Sequence, residues 1–503
     1  MGEPFYITTA ISYPNGPPHI GHAYEAIAAD AIARFQRSQG RDVRFQTGTD
    51  EHGLKMAQAA RAENVEPRAL ADRMSRLFQG MCDTLNVSYD RFIRTSQPDH
   101  YRASQAIWKA MEERGDLYLD RYEGWYSVRD EAYYEAEEIT EGEDGVKLSP
   151  QGTPVEWTVE ESWFFRLSKY QQPLLDLYAT NPDFIQPDSR RNEVVRFVEG
   201  GLKNLSISRT SFDWGVPVPG SDNHVMYVWL DALTNYITGL GYPDDTELWQ
   251  RYWPANVHLI GKDVVRFHAV YWPAFLMSAG IPLPKQVYGH GFLLSRGEKM
   301  SKSVGNVVDP MVLADRFGVD ALRYFLLREV TFGQDGSYSA EAIVNRANAE
   351  LSNSFGNLAQ RTLSMIFKNL DGVLPSAGDA AEDRELLALV DRVTTVDMVE
   401  HFNRLGFSFG IDAWMQAVFA CNAYVDAQAP WALRKTDPAR MAAVLGTLVA
   451  AVRQLAQAIA PIIPDSAEKL VNLIDAGKGG APISQPTPLF PRLELEAEDE
   501  ATA

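Results

Sequence analysis

Apolar residues recur every three or four positions in a stretch that begins about twenty residues into the chain. They share one face of a predicted helix, and they are Ile20, Ala23, Ile27, Ala31 and Phe35. A proline-rich turn from Pro14 to Pro18 precedes them, and Phe5 to Ala10 before that turn is a short apolar run typical of a buried strand. A strand, a turn and a helix in this order predict the first unit of a doubly wound α/β sheet, where helix N-termini bind phosphate.

The pattern continues this sheet and then changes twice. Val43 to Thr47 predicts a second strand and Lys55 to about Asn64 a second helix, the β-α-β-α order of a parallel sheet. Between about 118 and 225, apolar and polar residues alternate among many tyrosines, as in antiparallel strands. Parallel-sheet texture returns in "HVMYVWLDAL", which puts Trp229 in an apolar strand, and in "VHLIGKDVV" and "QVYGHGFLL". From about 340 to 475 the pattern is helical, with breaks at 371–379 and 429–430.

Composition excludes several classes of protein. The 503 residues are 45% hydrophobic and 23% charged, as in ordinary globular proteins. Cys82 and Cys421 are the only cysteines, which excludes a disulfide framework and a cysteine zinc site and suits a reducing cytoplasm. The N-terminal residues lack the basic region of a signal peptide, and the longest apolar run, Met441 to Val452, is shorter than a membrane span. We therefore expect a soluble, cytoplasmic protein.

The net charge of −20 argues against bulk affinity for nucleic acid. Much of the acid is local, however, in Glu135 to Asp144 and in the C-terminal segment. A nucleic acid needs only a local basic face, so an RNA partner stays possible.

His19 and His22 lie one turn apart at the predicted start of the first helix. Near the positive end of a helix dipole, two imidazoles can donate hydrogen bonds to phosphate. Each could instead be a surface or capping residue, and a metal pair would lack a third ligand nearby. This stretch alone leaves those alternatives open.

A loop with the sequence "GEKMSKSVGN" follows a late predicted strand. Lys299 and Lys302 lie three positions apart in it, among serines and glycines. Two ammonium groups in a loop of small, flexible residues can close over a polyphosphate. An exposed charged loop without this function would have the same composition.

Taken together, "HIGH" at 19–22 and "KMSKS" at 299–303 resemble the paired motifs of the class I aminoacyl-tRNA synthetases. The segments "AISYPNGPPHIGH", "TGTDEHG", "YVWLDAL", "IGKDVVRFHAVYWPA" and "GEKMSKSVGN" are most similar to the methionine-specific members of that family, and the resemblance extends from Phe5 to about 475. It implies an ATP-dependent ligase that forms methionyl-adenylate, releases pyrophosphate and AMP, and supplies Met-tRNA for translation. It also implies that Mg²⁺ arrives with the ATP rather than in an all-protein cage.

The resemblance assigns roles to the residues that match the family's motifs. The catalytic residues would be His19, His22, Lys299 and Lys302. ATP would contact His19, Gly21, His22, Gly261, Asp263, Leu293, Lys299, Ser301 and Lys302. Methionine would contact Ile11, Tyr13, Asp50, Trp229, Tyr236, Val264 and His268. In this assignment Asp50 holds the ammonium, and the aromatic rings pack against the thioether.

The same resemblance implies that Asn357, Arg361 and Trp431 read the anticodon CAU of tRNA(Met). From the residues alone, Asp50 could be a turn or capping residue, Trp229 a core residue, and the stripe of Asn353, Asn357 and Arg361 a solvated helix face. Arg209 would pair with acidic groups near the site. Without an appended dimerising domain, we expect a monomer.

Two departures from the family pattern affect these expectations. Leu233 stands where the family often has proline, which leaves the shape of the methionine pocket open. Ser127 and Asp130 occupy the first C-x-x-C pair of a zinc knuckle that relatives often carry. We therefore expect no protein-bound zinc and no metal ligands, and stability of the insertion from packing.

The predicted architecture is an α/β Rossmann-type doubly wound parallel sheet, split by an inserted connective domain and followed by an all-α anticodon-binding helix bundle. The segments are 1–117 and 226–290 for the two halves of the catalytic domain, 118–225 for the insertion without a zinc knuckle, 291–345 for the KMSKS loop and stem-contact region, 346–475 for the anticodon-binding domain, and 476–503 for a loosely ordered acidic tail.

Two other readings stay in competition. One is a different enzyme with the same two motifs, either a synthetase for leucine, isoleucine, valine or cysteine or a nucleotidylyltransferase. The insertion is too short for a large editing domain, and nucleotidylyltransferases lack a long helical anticodon region. The other is a non-catalytic tRNA-binding relative, against which the intact His19, His22, Lys299 and Lys302 argue.

Overall fold

The protein is described here by a computed structural model that covers residues 2–130, 132–142, 145–295, 298–299 and 307–495. The chain forms two compact units. The first unit comprises residues 1–29, 39–83 and 87–290, and the second comprises residues 30–38, 84–86 and 291–503.

A six-stranded parallel sheet forms the centre of the first unit. Its strands, in spatial order, are Arg91–Arg94, Asp42–Thr49, Pro4–Thr9, Val257–Gly261, Val287–His290 and Ile185–Gln186. The strand Pro4–Thr9 has its successor on one side and a strand from much later in the chain on the other. The strand order therefore reverses beside it, and such a reversal opens a crevice at the carboxyl ends of the strands. The predicted doubly wound sheet is confirmed.

Helices surround this sheet. Those of the first unit are the first half of Ile20–Ser38, then Leu54–Ala62, Pro67–Thr84, Pro98–Glu113, Gln171–Thr180, Asp188–Glu199, Val228–Thr238, Glu247–Tyr252, the π-helical Phe267–Tyr271, and Trp272–Ala279. The core between helices and sheet contains large side chains with almost no exposed surface, among them Trp108, Trp272, Tyr6, Tyr236 and Phe165.

The prediction of a strand at Trp229 is wrong, because Val228–Thr238 is a helix. Every residue of this helix except Trp229 is buried. Its polar residues Asp231, Thr234, Asn235 and Thr238 are buried as well and mostly follow the apolar run, and a short apolar run by itself cannot be distinguished from a buried strand by periodicity.

The insertion contains the predicted antiparallel strands. They form a four-stranded sheet in the order Leu205–Ser206, Glu156–Phe165, Leu117–Ser127 and Ala132–Tyr134. Two smaller antiparallel pairs join Thr140–Glu141 to Lys147–Leu148 and Ser208–Arg209 to Val225–Met226.

A partly buried cluster of hydrogen bonds surrounds Ser127 and Asp130, the two positions that the sequence analysis compared with a C-x-x-C pair. The Asp130 carboxylate accepts hydrogen bonds from the hydroxyls of Ser149 (2.7 Å), Tyr134 (2.9 Å) and Thr153. The hydroxyls of Ser127 and Thr153 lie 2.6 Å apart. The expectation that packing alone stabilises the insertion is therefore incomplete, because a partly buried cluster of hydrogen bonds also fixes a turn.

The second unit combines a small sheet with many helices. The sheet has the order Glu298–Lys299, Leu293–Ser295 and Gly336–Tyr338. The helices are Pro310–Phe317, Val319–Glu329, Ala340–Arg346, the π-helical Ala347–Gly356, Asn357–Asn369, Ala381–Arg392, the π-helical Val393–Asp397, Met398–Asn403, Phe407–Gln428, Pro430–Thr436, Pro438–Ile459 and Pro464–Asp475. Both predicted breaks are present, and further breaks, at Leu405 (φ 58°), at Asp437 and between Ile459 and Pro464, were not predicted.

A fully buried arginine explains why two short N-terminal segments belong to this unit. Arg323 forms an ion pair with Asp30 (2.6 Å) and donates hydrogen bonds to the carbonyls of Leu85, Pro461 and Ile462 at 3.0–3.1 Å. Because a buried guanidinium needs all of its donors satisfied, this residue joins segments that are hundreds of positions apart in sequence.

The helix Pro438–Ile459 is long and apolar enough to cross a membrane, with a mean hydropathy of 1.5 over its most apolar window. This differs from the expectation based on the shorter run Met441 to Val452. However, 61% of that window is buried inside the protein, as for the core helix of a helical bundle.

The part of the tail that the structure describes, which was expected to be loosely ordered, makes several defined contacts. Leu493 exchanges two backbone hydrogen bonds of 2.8 Å with the side-chain amide of Asn348. The Pro486 carbonyl accepts from Gln360 (3.1 Å), and Ile483 is buried. Residues 496–503 lie outside the described residues.

Candidate functional site

The two histidines of the first helix have defined ring orientations. His19 directly precedes Ile20–Ser38, and its Nδ1 accepts a hydrogen bond from the Gly21 N–H (3.1 Å). The His19 N–H donates in turn to Nδ1 of His22 (3.1 Å), and the two ring centroids are 3.9 Å apart. Since Nδ1 of each neutral ring accepts, the ring proton of each lies on Nε2. The two histidines therefore lie at the positive end of the helix, where the sequence analysis placed them, and each carries an Nε2–H donor.

Gly21 is required by this arrangement. A Cβ atom at that position would lie 2.9 Å from Cε1 and 3.0 Å from Nδ1 of His19, closer than side-chain atoms normally approach. A larger residue would therefore displace the His19 ring.

An acidic residue that the sequence analysis missed lies on the same helix. Glu25 Oε2 is 2.8 Å from His290 Nε2, at the end of the strand Val287–His290. Burial raises the pKa of the Glu25 carboxyl, the His290 imidazole and the Gly261 N–H lower it, and the Asp263 carboxylate raises it further. Gly261 and Asp263 therefore lie beside the helix that carries the two histidines. The spacing of Glu25 three residues after His22 was the available signal.

Asp50 lies at the carboxyl end of the central strand Asp42–Thr49, as predicted. Its side chain is almost fully buried, and its N–H donates to the Ser12 carbonyl (2.9 Å). Ser12 also pairs with Thr49, so Ile11 and Tyr13 run beside Asp50. The Tyr13 hydroxyl accepts from the Met56 N–H (3.1 Å).

Four of the predicted methionine-contacting residues form one cluster. The His268 Nδ1–H donates to the Val264 carbonyl (2.9 Å), so His268 Nε2 accepts from the Tyr236 hydroxyl at 2.6 Å. Burial lowers the pKa of His268 to about 4, so the imidazole is neutral at pH 7. Trp229 stacks on Phe267, at 3.7 Å between ring centroids, and lies 6.1 Å from His268. The result is an uncharged aromatic wall.

The acidic residues Glu25 and Asp50 affect the pKa of Tyr236 in this wall. Burial raises the pKa of the Tyr236 hydroxyl well above its ordinary value, and the charges of Glu25 and Asp50 add to that rise. An uncharged wall beside a buried carboxylate suits a ligand with an ammonium group and an apolar, polarisable side chain. Sequence reasoning did not single out Phe267, because its stacking partner lies far away in sequence.

The predicted residues of the KMSKS region belong to the second unit. Leu293 is buried in the small sheet, and the backbone of Lys299 pairs with Leu294. Ser301 and Lys302 lie outside the described residues.

Arg209 and Leu233, which the sequence analysis also named, lie in the first unit. Arg209 donates to the Ser208 carbonyl (2.7 Å) and lies over the rings of Tyr133 and Tyr227 at 4.5 and 4.7 Å. Leu233 is buried within its helix. Among the residues that the structure describes, no group of three or more His, Cys, Asp or Glu side chains could hold a metal ion.

The second unit brings together two of the predicted tRNA-reading residues. The guanidinium of Arg361 lies 5.5 Å from the ring centroid of Trp431, which is half exposed. Asp426 lies 3.8 Å from Arg361, and Asn353 and Asn357 are exposed on the same run of helix. A planar cation beside an exposed indole gives two stacking surfaces for unpaired bases.

Two family models match the chain. The model for class I tRNA synthetases of the methionine type matches residues 5–363, and the model for the anticodon-binding domain of methionyl-tRNA ligase matches residues 374–487. The methionine–tRNA ligase of Brucella suis is 58% identical over 519 aligned positions that cover 99% of both chains. That of Mesorhizobium japonicum is 60% identical and covers 94% of this chain and 91% of its own.

Solved structures are equally similar. The methionyl-tRNA synthetase of Mycobacterium tuberculosis in complex with methionyl-adenylate matches with a TM-score of 0.94 and 55% identity, over 97% of this chain and 100% of that one. The free form of the same enzyme matches with a TM-score of 0.87. With the histidine pair, the buried Asp50 and the aromatic wall at one sheet edge, these matches show that the chain belongs to the methionyl-tRNA synthetases, the class I ligases that attach methionine to tRNA.

Proposed function

We propose that the carboxyl edge of the parallel sheet joins methionine to ATP as methionyl-adenylate and then transfers methionine to the 3′ end of tRNA(Met). The observation that carries this proposal is the buried Asp50 beside the neutral wall of Trp229, Tyr236 and His268. The Mycobacterium tuberculosis relative solved with methionyl-adenylate supports it.

Asp50 would hold the methionine ammonium, and the aromatic wall would enclose the thioether. Since His268 is neutral, it adds no charge that would repel the ammonium or favour a polar side chain. Val264 adjoins this wall, because its carbonyl accepts a hydrogen bond from His268. Ile11 and Tyr13 run beside Asp50. The methionine carboxylate then remains available as the nucleophile.

The reaction requires one carboxylate oxygen to attack the α-phosphorus of ATP while the bond to pyrophosphate breaks. Negative charge grows on the phosphate oxygens, so preorganised donors lower the barrier. His19 and His22 would donate through Nε2–H, and Gly21, Gly261 and Asp263 would line the nucleotide site. Mg²⁺ would arrive with ATP and neutralise its phosphates.

Lys299 and Lys302 would act on the departing pyrophosphate, with Leu293 and Ser301 contributing to ATP binding. Because negative charge grows on the leaving oxygens, ammonium groups that contact them act chiefly in the transition state.

Arg361 and Trp431, with Asn357, would read the CAU anticodon. The exposure of Trp431 and the adjacent guanidinium support this role. The proposed functions of the segments are as follows. Catalysis belongs to 1–117 and 226–290, and 118–225 forms the insertion. The KMSKS and stem-contact region is 291–345, and anticodon binding belongs to 346–475. We also propose a monomer in the cytoplasm, where free, buried cysteines such as Cys82 and Cys421 are stable.

Pyrophosphate–ATP exchange with a panel of amino acids tests the first step. We expect exchange with methionine and little with leucine, isoleucine, valine or cysteine. Faster exchange with any of these would overturn the assignment of the pocket. Charging of tRNA(Met) transcripts with CAU or altered anticodons tests the second unit, and equal charging of both would refute its reading role.

A further inference from the structure

A second buried cluster lies behind the proposed methionine pocket, and no step above uses it. His52, from the "GTDEHG" segment, has Nδ1 2.6 Å from Asp231 Oδ2. The other oxygen of Asp231 lies 2.6 Å from His100 Nε2. The three side chains are at most 1% exposed, although they are separated by 131 and 179 positions in sequence.

The hydrogen bonds give the proton positions on His52. Burial raises the pKa of the Tyr101 hydroxyl to about 12, and this hydroxyl lies 2.9 Å from His52 Nε2. A carboxylate only accepts hydrogen bonds, so the His52 Nδ1–H donates to Asp231. Although burial acts to raise it, the His52 and His100 imidazoles hold the pKa of Asp231 at about 2. The cluster thus contains a buried carboxylate whose two oxygens each have an N–H donor.

The elements that meet at Asp231 carry opposite ends of the methionine site. His52 is two residues after Asp50, the proposed ammonium ligand. Asp231 lies on the helix Val228–Thr238, which also carries Trp229 and Tyr236 of the aromatic wall. A bond between Asp231 and His52 therefore fixes the distance between the ammonium ligand and the thioether wall, and a bound amino acid must fit that distance.

We propose that Asp231 is a positioning residue that, through His52, sets the methionine-binding geometry. It touches no substrate; its effect is on the placement of Asp50 relative to Trp229 and Tyr236. The inference rests on the proposed function, because it assumes that this pocket takes methionine.

The test is Asp231→Asn in pyrophosphate–ATP exchange. The amide replaces one acceptor oxygen by a donor, so one imidazole N–H loses its partner. We expect the KM for methionine to rise about tenfold or more, because a charge-assisted bond is lost, while the KM for ATP changes less than about threefold.

Asp116→Asn is the matched control. Asp116 is also a buried carboxylate of the first unit, but its partners are Lys169, Tyr170 and Ser278. We expect this variant to lower the melting temperature and leave the KM for methionine unchanged.

Tyr101→Phe keeps the test decisive if Asp231→Asn does not fold. It removes only the hydroxyl that is hydrogen-bonded to His52 Nε2, so we expect a rise of about three- to fivefold in the KM for methionine. An unchanged KM for methionine in the folded variants overturns the inference, as does an equal rise in both KM values with a lowered melting temperature. A wild-type protein without methionine-dependent exchange would instead refute the proposed function.

Discussion

Trp431 provides the sharpest test of the proposed anticodon surface. Its side chain is 50% exposed just after the turn at Ala429, and Arg361 holds one side of the ring. We expect Trp431→Ala to impair charging of tRNA(Met) and leave methionyl-adenylate formation nearly intact. The reason is that an exposed ring contributes to binding a base and little to folding.

The magnitude follows from the exposure. Loss of one base stack costs about 1–3 kcal/mol, which corresponds to about 5- to 150-fold in kcat/KM for tRNA. Truncation of a fully buried tryptophan would cost about 3–5 kcal/mol of stability. Since half of the Trp431 surface is already in solvent, the loss of stability should be at most about half of that.

The assay compares exchange, charging and a melting curve on the same preparation. Phe419→Ala is the matched control, because Phe419 is 49% exposed on another helix of the second unit, Phe407–Gln428. We expect the control to charge tRNA normally. Parallel loss of exchange and charging with a lowered melting temperature would mean that Trp431 acts as a core residue. Unchanged charging in a stable Trp431→Ala protein would refute its contact with tRNA.

Three further variants test the other sites. Lys302→Ala should lower the rate constant of exchange on the order of 10²-fold while sparing methionine binding, and unchanged exchange kinetics would remove the pyrophosphate role. Gly21→Ala should lower the rate constant of exchange by a similar factor, because the added Cβ displaces the His19 ring. Its control is Gly80→Ala, whose Cβ meets nothing within 4 Å and which should keep full activity. Equal activities of the two variants would contradict the steric argument. Asp130→Ala should destabilise the insertion by about 1–3 kcal/mol, which should appear as a first unfolding transition at lower urea concentration. Elemental analysis of the wild-type protein should find no stoichiometric zinc, and activity-linked zinc would overturn that expectation.

Local patterns along the sequence were enough to predict the elements around the site. The histidine pair could be placed one turn apart because a helix start depends on neighbouring residues, here a proline-rich turn followed by apolar residues at helical spacing. Asp50 could be placed at a strand end for the same reason. The antiparallel strands of the insertion were predicted from the alternation of apolar and polar residues. The C-terminal helices, with two of the breaks between them, were predicted from apolar residues at helical spacing.

Only the tertiary structure decided the elements and contacts that have no local signal. The region of Trp229 is a helix and not the predicted strand, because the helix is buried on all sides and a short apolar run does not distinguish a buried helix from a buried strand. The tail described up to residue 495 was expected to be loose because its composition is rich in breaks, yet Asn348 and Gln360 bind its backbone. The hydroxyls of Ser149, Tyr134 and Thr153 bind Asp130 in a pairing that no spacing rule predicts. The bonds of Asp231 to His52 and His100 join residues more than a hundred positions apart, and sequence periodicity reports only which face of its own element a residue occupies.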